Sequence, residues 1–390
     1  MYNYPGNYPG NNQNYNGYNG YYGYPYPPIY PPRPRRRRGG FIFFLLLSAL
    51  VVGAAYLTTQ YIEGRGGFLP ITQPGQPAAG TTDDGNNFGF RIRPNDPLVD
   101  QQYALQRLNA SSAWKLTQGS SNVVVAVIDT GVDASHPDLQ GKLVKGYDFV
   151  DGDTTPDDTV GHGTFVASLI AANSNDQLGI SGIAPDVKIM PLKVMSRDNN
   201  GSSVRVAQAI RYAADNGAKV INMSLGSPTP SRSIKSAIDY AVSKGVTVVA
   251  AAGNEGDAEN DPNYPASFAN VISVGATGSR DTVAYFSNHN DAVTVTAPGV
   301  NVLGARSQVN QICRPYKTSD YCVASGTSFA APYVAGVAAL MISENPNLSP
   351  AQVKTLLEKS ATDLGAKGYD QYYGYGRVDA GKAVQLAEAA

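Results

Sequence analysis

The sequence predicts an α/β fold for residues 92–390, a mainly parallel β-sheet layered between helices. Three observations carry that expectation. Short β-branched runs alternate with helical stretches along this part of the chain, the runs read as buried strands, and each ends in small or polar residues. Strand followed by helix, repeated, implies parallel strands covered on both faces.

Ahead of that body the composition changes twice. Residues 1–40 are mostly Tyr, Asn, Gly and Pro, and end in Arg33 and the run Arg35 to Arg38. With Ile29 as the lone aliphatic after Met1, this tail has too little apolar surface to offset the entropy of ordering, and disorder is expected. The chain holds 30 basic and 31 acidic side chains; five Arg and no acid fall in the tail, which leaves 25 against 31 in the remainder. A near-neutral total therefore joins a basic tail to a mildly acidic body. No clustered basic face points to nucleic acid.

The segment FIFFLLLSALVVGAAYLTTQYI, residues 41–62, carries no charge. At helical rise it spans the hydrocarbon of a bilayer, and the flanking arginines hold their side in the cytoplasm. The expectation is a single-pass transmembrane signal anchor in the cell membrane with the body outside. A secretory signal peptide cut after Ala55 is the other reading, and it leaves the body shed or secreted. Residues 63–91 read as a Gly/Pro-rich linker. Cys313 and Cys322 are the only cysteines, and in an exported body they are expected to form one disulfide.

Within the body the expected strands are NVVVAVIDTG (122–131), VKIMPLKVM (187–195), AKVINMSLG (218–226), GVTVVAAAGN (245–254) and NVISVGAT (270–277). Between them GHGTFVASLIAAN (161–173), SVRVAQAIRYAADNG (203–217) and SRSIKSAIDYAVSKG (231–245) read as helices. YVAGVAALMI (333–342) is apolar almost all round, the pattern of a helix buried on every side. In such sheets functional groups gather at the carboxyl ends of strands.

Asp129 follows the apolar run VVVAVI, where a carboxylate has to be paired or hydrogen-bonded. His162 opens a helix between two glycines, and Ser328 lies in SGTSFAAP (325–332), just ahead of the apolar helix. Singly, a turn former, a satisfied core histidine and an N-cap explain them. Together they are the parts that activate a serine: an imidazole to take the hydroxyl proton and a carboxylate to fix its tautomer. Asn254, after the apolar AAAG, is a turn former or, aimed into a cleft, a donor to an oxyanion alongside the Ser328 amide. His136, before a proline, and His289, among polar turn residues, stand near no nucleophile.

The blocks VAVIDTGVD, GHGTFVAS, INMSLGS, AAAGNEG and SGTSFAAP, in that order, resemble the subtilisin family of serine proteases, and its thermitase branch, over about residues 92–390. The chain order Asp, His, Ser separates this family from other serine hydrolases. The resemblance implies a three-layer sandwich with a seven-stranded sheet and an endopeptidase working through an acyl-enzyme; with the 41–62 anchor that enzyme is expected to be membrane-tethered and extracellular. It gives Asp129 the role of orienting His162, His162 that of base and then acid, Ser328 that of nucleophile and Asn254 that of oxyanion donor, supported by Thr327. Ser224, Leu225 and Gly226 would pair with the substrate backbone, with Asn199 to Gly201 as the opposite edge. Neutral Asn263 at the floor of the S1 pocket implies broad cleavage after large apolar or aromatic residues. The sequence departs from the family pattern at Phe165, where a second histidine is common, at Ser168, where glycine is, and at Phe329, often methionine.

The stretch GYDFVDGDTTPDD (146–158) crowds five acids together. Either it is a solvated loop or it binds a cation, and oxygen ligands suit calcium. The resemblance implies Ca2+ held by Asp148, Asp151, Asp153, Asp157 and the Thr155 carbonyl. It implies a second Ca2+ held by Asp96, Asp138 and Asp176 with the carbonyls of Asn173, Leu178 and Ile180. Expected partners are protein or peptide substrates and the membrane; the catalytic domain is expected to be monomeric. The rival readings are a catalytically silent binding protein on the same fold and a peptidyl transferase or ligase that passes the acyl group to an amine.

Overall fold

The computed structural model describes residues 93–390, apart from 199, 200, 257 and 259. The tail, the 41–62 segment and the linker lie outside the described residues. The expected membrane location is corrected: among the described residues no helix is long and apolar enough to cross a membrane, and the only segment on which that location rested is not among them.

Alternation along the central strand divides the interior in two. In β1 (Val124–Asp129), Val125 and Val127 belong to one buried core, and Ala126 and Ile128 to another, as the two-residue period of a strand requires. Six further strands flank it: β2 (Tyr147–Asp148), β3 (Lys188–Lys193), β4 (Val220–Met223), β5 (Thr247–Ala251), β6 (Ile272–Thr277) and β7 (Val295–Pro298). They form one seven-stranded sheet in the order β2-β3-β1-β4-β5-β6-β7, parallel at every pairing. The expected sheet is therefore present, with each expected strand shortened at its ends.

Helices cover both faces. The first core contains residues of α1 (His162–Ala171) and α4 (Thr327–Glu344), and the second those of α2 (Ser203–Asp215) and α3 (Arg232–Ser243). Every residue of α4 from Phe329 to Ile342 is buried, which explains its lack of a polar face. Ser202 and Ser231 cap α2 and α3 through their hydroxyls. Two helices follow toward the end of the chain, α5 (Pro350–Ser360), with a Ser349/Gln352 capping box, and α6 (Ala380–Glu388), capped by Asp379, and two short ones, Tyr103–Arg107 and Ala110–Ala113, precede β1.

The chain starts the sheet at its middle, so the direction of strand addition reverses beside β1. Such a reversal opens a crevice at the carboxyl ends of the strands. Polar groups line up there. Lys193 is in register with both Asp129 and Asp148, and its Nζ lies 3.0 Å from Asp148 Oδ2 with both side chains buried.

A small antiparallel sheet, β8 (Val302–Ala305), β9 (Arg314–Tyr316) and β10 (Thr318–Ala324), stands apart in the order β8-β10-β9. The expected Cys313–Cys322 disulfide joins it, with Cα atoms 5.7 Å apart. Ahead of it, the Gln311 amide donates to the Val160 carbonyl at 2.9 Å. β10 runs directly into the segment holding Ser328, so one cross-linked hairpin touches the approaches to both His162 and Ser328.

Removing one member of a buried ion pair strands the other charge, at a cost of about 3–5 kcal/mol. Lys193→Met is expected to lower the urea midpoint accordingly. The double variant Lys193→Met/Asp148→Leu should recover most of the loss; equal midpoints for the single variant and the parent would show that the pair contributes nothing.

Candidate active site

Asp129 ends β1 and is almost wholly buried. Its Oδ1 accepts from the Thr130 amide at 2.8 Å and lies 2.7 Å from His162 Nδ1, while Oδ2 has no partner. A carboxylate can only accept, so the shared proton sits on Nδ1 and Nε2 keeps its lone pair. Burial works against the charged imidazole, but the charge and hydrogen bond of Asp129, and then the charge of Asp158, outweigh it and hold the His162 pKa above the ordinary value.

Two glycines bring that ring to the carboxylate. Gly161 caps α1 with φ +102°, a left-handed conformation that glycine adopts without steric cost. A Cβ at Gly163 would stand 2.0 Å from the Gly131 carbonyl oxygen, so the helix start can press on the loop after β1 only with no side chain there.

Ser328 is the second residue of α4. Four residues on, Pro332 has no N–H to bond the Ser328 carbonyl. That carbonyl instead accepts from Ser224 Oγ at 2.7 Å, and Ser328 Oγ donates to the Ser224 carbonyl at 3.3 Å. Asn222 Nδ2 in turn donates to Ser224 Oγ at 3.0 Å, so the end of β4 grips the serine by backbone and side chain. Phe329 packs its ring 5.4 Å from His162 and 4.6 Å from Phe165. Two departures from the family pattern thus form one aromatic contact behind the imidazole. Ser168, the third, donates to Phe165 O and accepts from the Ala305 amide.

Asn254 follows β5, and Thr327 fixes its amide. The Thr327 N–H and hydroxyl donate to Asn254 Oδ1 at 2.9 and 3.0 Å. The same hydroxyl accepts from the Gly253 amide at 3.2 Å, so its hydrogen is committed to Asn254. With Oδ1 taken by two donors, Nδ2 faces the other way and is left to donate.

Beyond Ser224 the chain continues through Leu225 and Gly226 to an antiparallel bridge between Ser227 and Tyr264. Asn263 fills the space beside two glycines: a Cβ on Gly226 would lie 2.3 Å from its Oδ1, and one on Gly253 2.8 Å from its Nδ2. Its Oδ1 is buried without a partner. Gly201 bridges to Met195; Asn199 and Asn200 lie outside the described residues. His136 and His289 stay out of this cluster, the first on the Asp320 carbonyl and the second stacked on Tyr372.

The two acidic groups differ. Among the described residues no three Asp, Glu, His or Cys side chains converge as a metal cluster. Asp138 is fully buried, with Oδ2 accepting from the Ile180 amide at 3.0 Å and Oδ1 without a partner. Burial pushes its carboxyl up to about 6 against the Ile180 amide, the Tyr321 hydroxyl and the nearby His136, and the charge of Asp176 adds to the rise. Asp96 accepts from the amides of Asn175 and Asp176 at 3.1 Å each, and Asp176 Oδ1 from the Leu178 amide at 2.9 Å. The Asn173 amide donates to the Asp138 carbonyl. A buried orphan oxygen beside further carboxylates fits a hard cation.

The 148–157 loop does not fit one in the same way. Asp148 is turned inward, neutralised by Lys193 and bonded by the amides of Val150 and Asp151, while Asp151, Asp153, Thr155 and Asp157 are exposed. Asp158 separates from its neighbours altogether. It is buried at the start of α1, accepting from Thr130, Val160, Gly161 and Thr164. The sequence reading left it in the acidic crowd. The available signal is local: an Asp that can accept from the amides two and three residues on makes an Asx-type turn leading into the helix.

The comparisons with known proteins bear on this arrangement. The family model described as the subtilase family matches residues 120–376. Thermitase from Thermoactinomyces vulgaris is 42% identical over 75% of this chain and 99% of its own length. A thermophilic serine proteinase from Bacillus sp. strain AK1 is 42% identical over 76% of this chain and 70% of its own. Among solved structures, a protease from Pseudoalteromonas arctica superposes with a TM-score of 0.69 at 32% identity, covering 75% of this chain and 99% of that one. The chain therefore belongs to the subtilase family, and it is a serine protease.

Proposed function

We propose that this chain is an endopeptidase in which Ser328 attacks the peptide carbonyl, His162 carries the proton and Asp129 holds the ring. The observation that carries this reading is the 2.7 Å contact of Asp129 with His162 Nδ1, since it leaves Nε2 free as the base. Attack by Ser328 Oγ transfers the hydroxyl proton to Nε2, and the imidazolium is stabilised by Asp129. The acyl oxygen becomes an anion that Asn254 Nδ2 and the Ser328 amide at the start of α4 can bind. His162 then protonates the leaving amine, and water repeats the cycle on the acyl-enzyme. A fluorophosphonate is expected to label the parent chain on Ser328, with labelling and peptidase activity both lost in Ser328→Ala. Equal labelling of the two would remove the nucleophile assignment.

The substrate strand is read as lying between 224–226 and the Gly201 edge, extended and hydrogen-bonded by its backbone. Asn263, wedged among glycines and uncharged, gives an S1 pocket that takes large apolar side chains and has no anion for Lys or Arg. Peptides with Phe or Leu before the cleaved bond should outpace the Arg peptide in kcat/KM. Asn263→Asp should narrow that gap by about tenfold, the worth of one added charge contact; an unchanged ratio would exclude Asn263 from the pocket.

For calcium, the orphaned Asp138 Oδ1 supports one ion; the side chains do not already converge, so binding would draw Asp96 and Asp176 toward Asp138, with carbonyls of Asn173, Leu178 and Ile180 completing the shell. The ion would neutralise these acids and pin the arm at 93–100 to the body. The Asp148–Lys193 pair argues against a second ion at 148–157. At a hundredfold excess over Kd one ion contributes about 2.7 kcal/mol. Chelation is expected to lower the Tm by several degrees in the parent and hardly at all in Asp138→Asn; a parent that melts unchanged in EDTA would end the calcium reading.

A further inference from the structure

We propose that Asp158 is a positioning residue of the active site: a second buried carboxylate, one shell behind the imidazole, that clamps the end of β1 to the start of α1 and supplies a fixed negative charge for the protonated His162 ring. This rests on the reading of His162 as the base.

The geometry is a closed set of donors. Asp158 Oδ1 accepts from Thr130 Oγ1 at 2.8 Å, the Val160 amide at 3.0 Å and the Gly161 amide at 2.8 Å. Oδ2 accepts from the Thr164 amide at 2.9 Å and from Thr164 Oγ1 at 2.5 Å. Each hydroxyl also accepts a backbone amide, Thr130 Oγ1 from Gly163 and Thr164 Oγ1 from Asp133, at 2.9 Å each, which leaves its hydrogen to point at Asp158. Three of the five donors, the Val160, Gly161 and Thr164 amides, can only donate, so the site is built to receive an acceptor. Burial pushes its carboxyl up, and the Thr164 hydroxyl with the Gly161, Val160 and Thr164 amides opposes that by bonding to the anion.

The connections single out the catalytic residues. Thr130 directly follows Asp129 and Gly163 directly follows His162, and the Thr130 hydroxyl joins Gly163 to Asp158 in one relay. Moving either end of that relay moves the Asp129–His162 contact. The charged groups acting on the ring are Asp129, from β1, and Asp158, from the loop before α1; α4 presents Phe329, which carries no charge. Taking away the Asp158 anion makes the imidazolium harder to form, so the base is free at lower pH and is weaker.

The test is the pH dependence of kcat/KM on a peptide substrate for the full chain, its Asp158→Asn and Asp158→Ser variants, each normalised by fluorophosphonate titration, and for His162→Ala, normalised by protein concentration. Asp158→Ser can still accept from the amides two and three residues on, so it separates loss of charge from loss of the cap. In both Asp158 variants the acidic limb is expected about 0.5–1 pH unit lower. A kcat about tenfold down with KM within twofold should accompany it. An acidic limb that stays in place, or a loss confined to Tm and to the titratable fraction, overturns the positioning role. Full activity in His162→Ala would instead sink the base assignment, whatever Asp158 does.

Discussion

A carboxylate at the inner end of an apolar strand persists only if donors are brought to it. Asp129 sets that demand. The Thr130 amide meets part of it and the His162 ring the rest, and the ring arrives only because Gly161 turns left-handed and Gly163 has no side chain to hold the helix away from Gly131. Oδ2 stays without a donor, a local cost of the kind that folds tolerate where chemistry is done. The tightness of this corner is therefore a requirement of the charge, and the ring orientation is its by-product.

The serine side solves a different problem. A helix buried on every face has no spare polar groups, yet its first turn must present a hydroxyl and an amide to a cleft. Pro332 frees the Ser328 carbonyl from the helix, and Ser224 takes it up. The interruption is thus an attachment point between α4 and the end of β4. Phe329 and Phe165 close the gap behind His162. The same packing thus serves the core and the ring.

Most of the sheet could be read from the sequence because its central strands are long enough to show as apolar runs. β2 is a two-residue strand and leaves no periodic trace, and the polar, exposed run of β9 gives no burial pattern. The site was legible where a motif fixes the neighbours of a residue, as around Asp129, His162, Asn254 and Ser328. It was not legible in the acidic stretch, since composition cannot say which carboxylate turns inward. Asp148 pairs with Lys193 and Asp158 gathers the amides leading into α1, two fates set by partners distant in sequence or by local turn geometry. A lysine inside the apolar run VKIMPLKVM was the visible hint of the first. The segment at 41–62 suggested a membrane span from length and hydropathy alone, and nothing in the described body reinforces it.

The groups at the crevice come from the ends of β1 and β5 and the starts of α1 and α4, stretches spread from Asp129 to Ser328. No local piece of the chain contains a working set. Non-local pairing of this kind is slow to assemble, and until α4 docks on the sheet the hydroxyl has no imidazole beside it. A nascent or half-folded copy is inert by construction, so the destructive capacity of the molecule is itself a report that folding has finished.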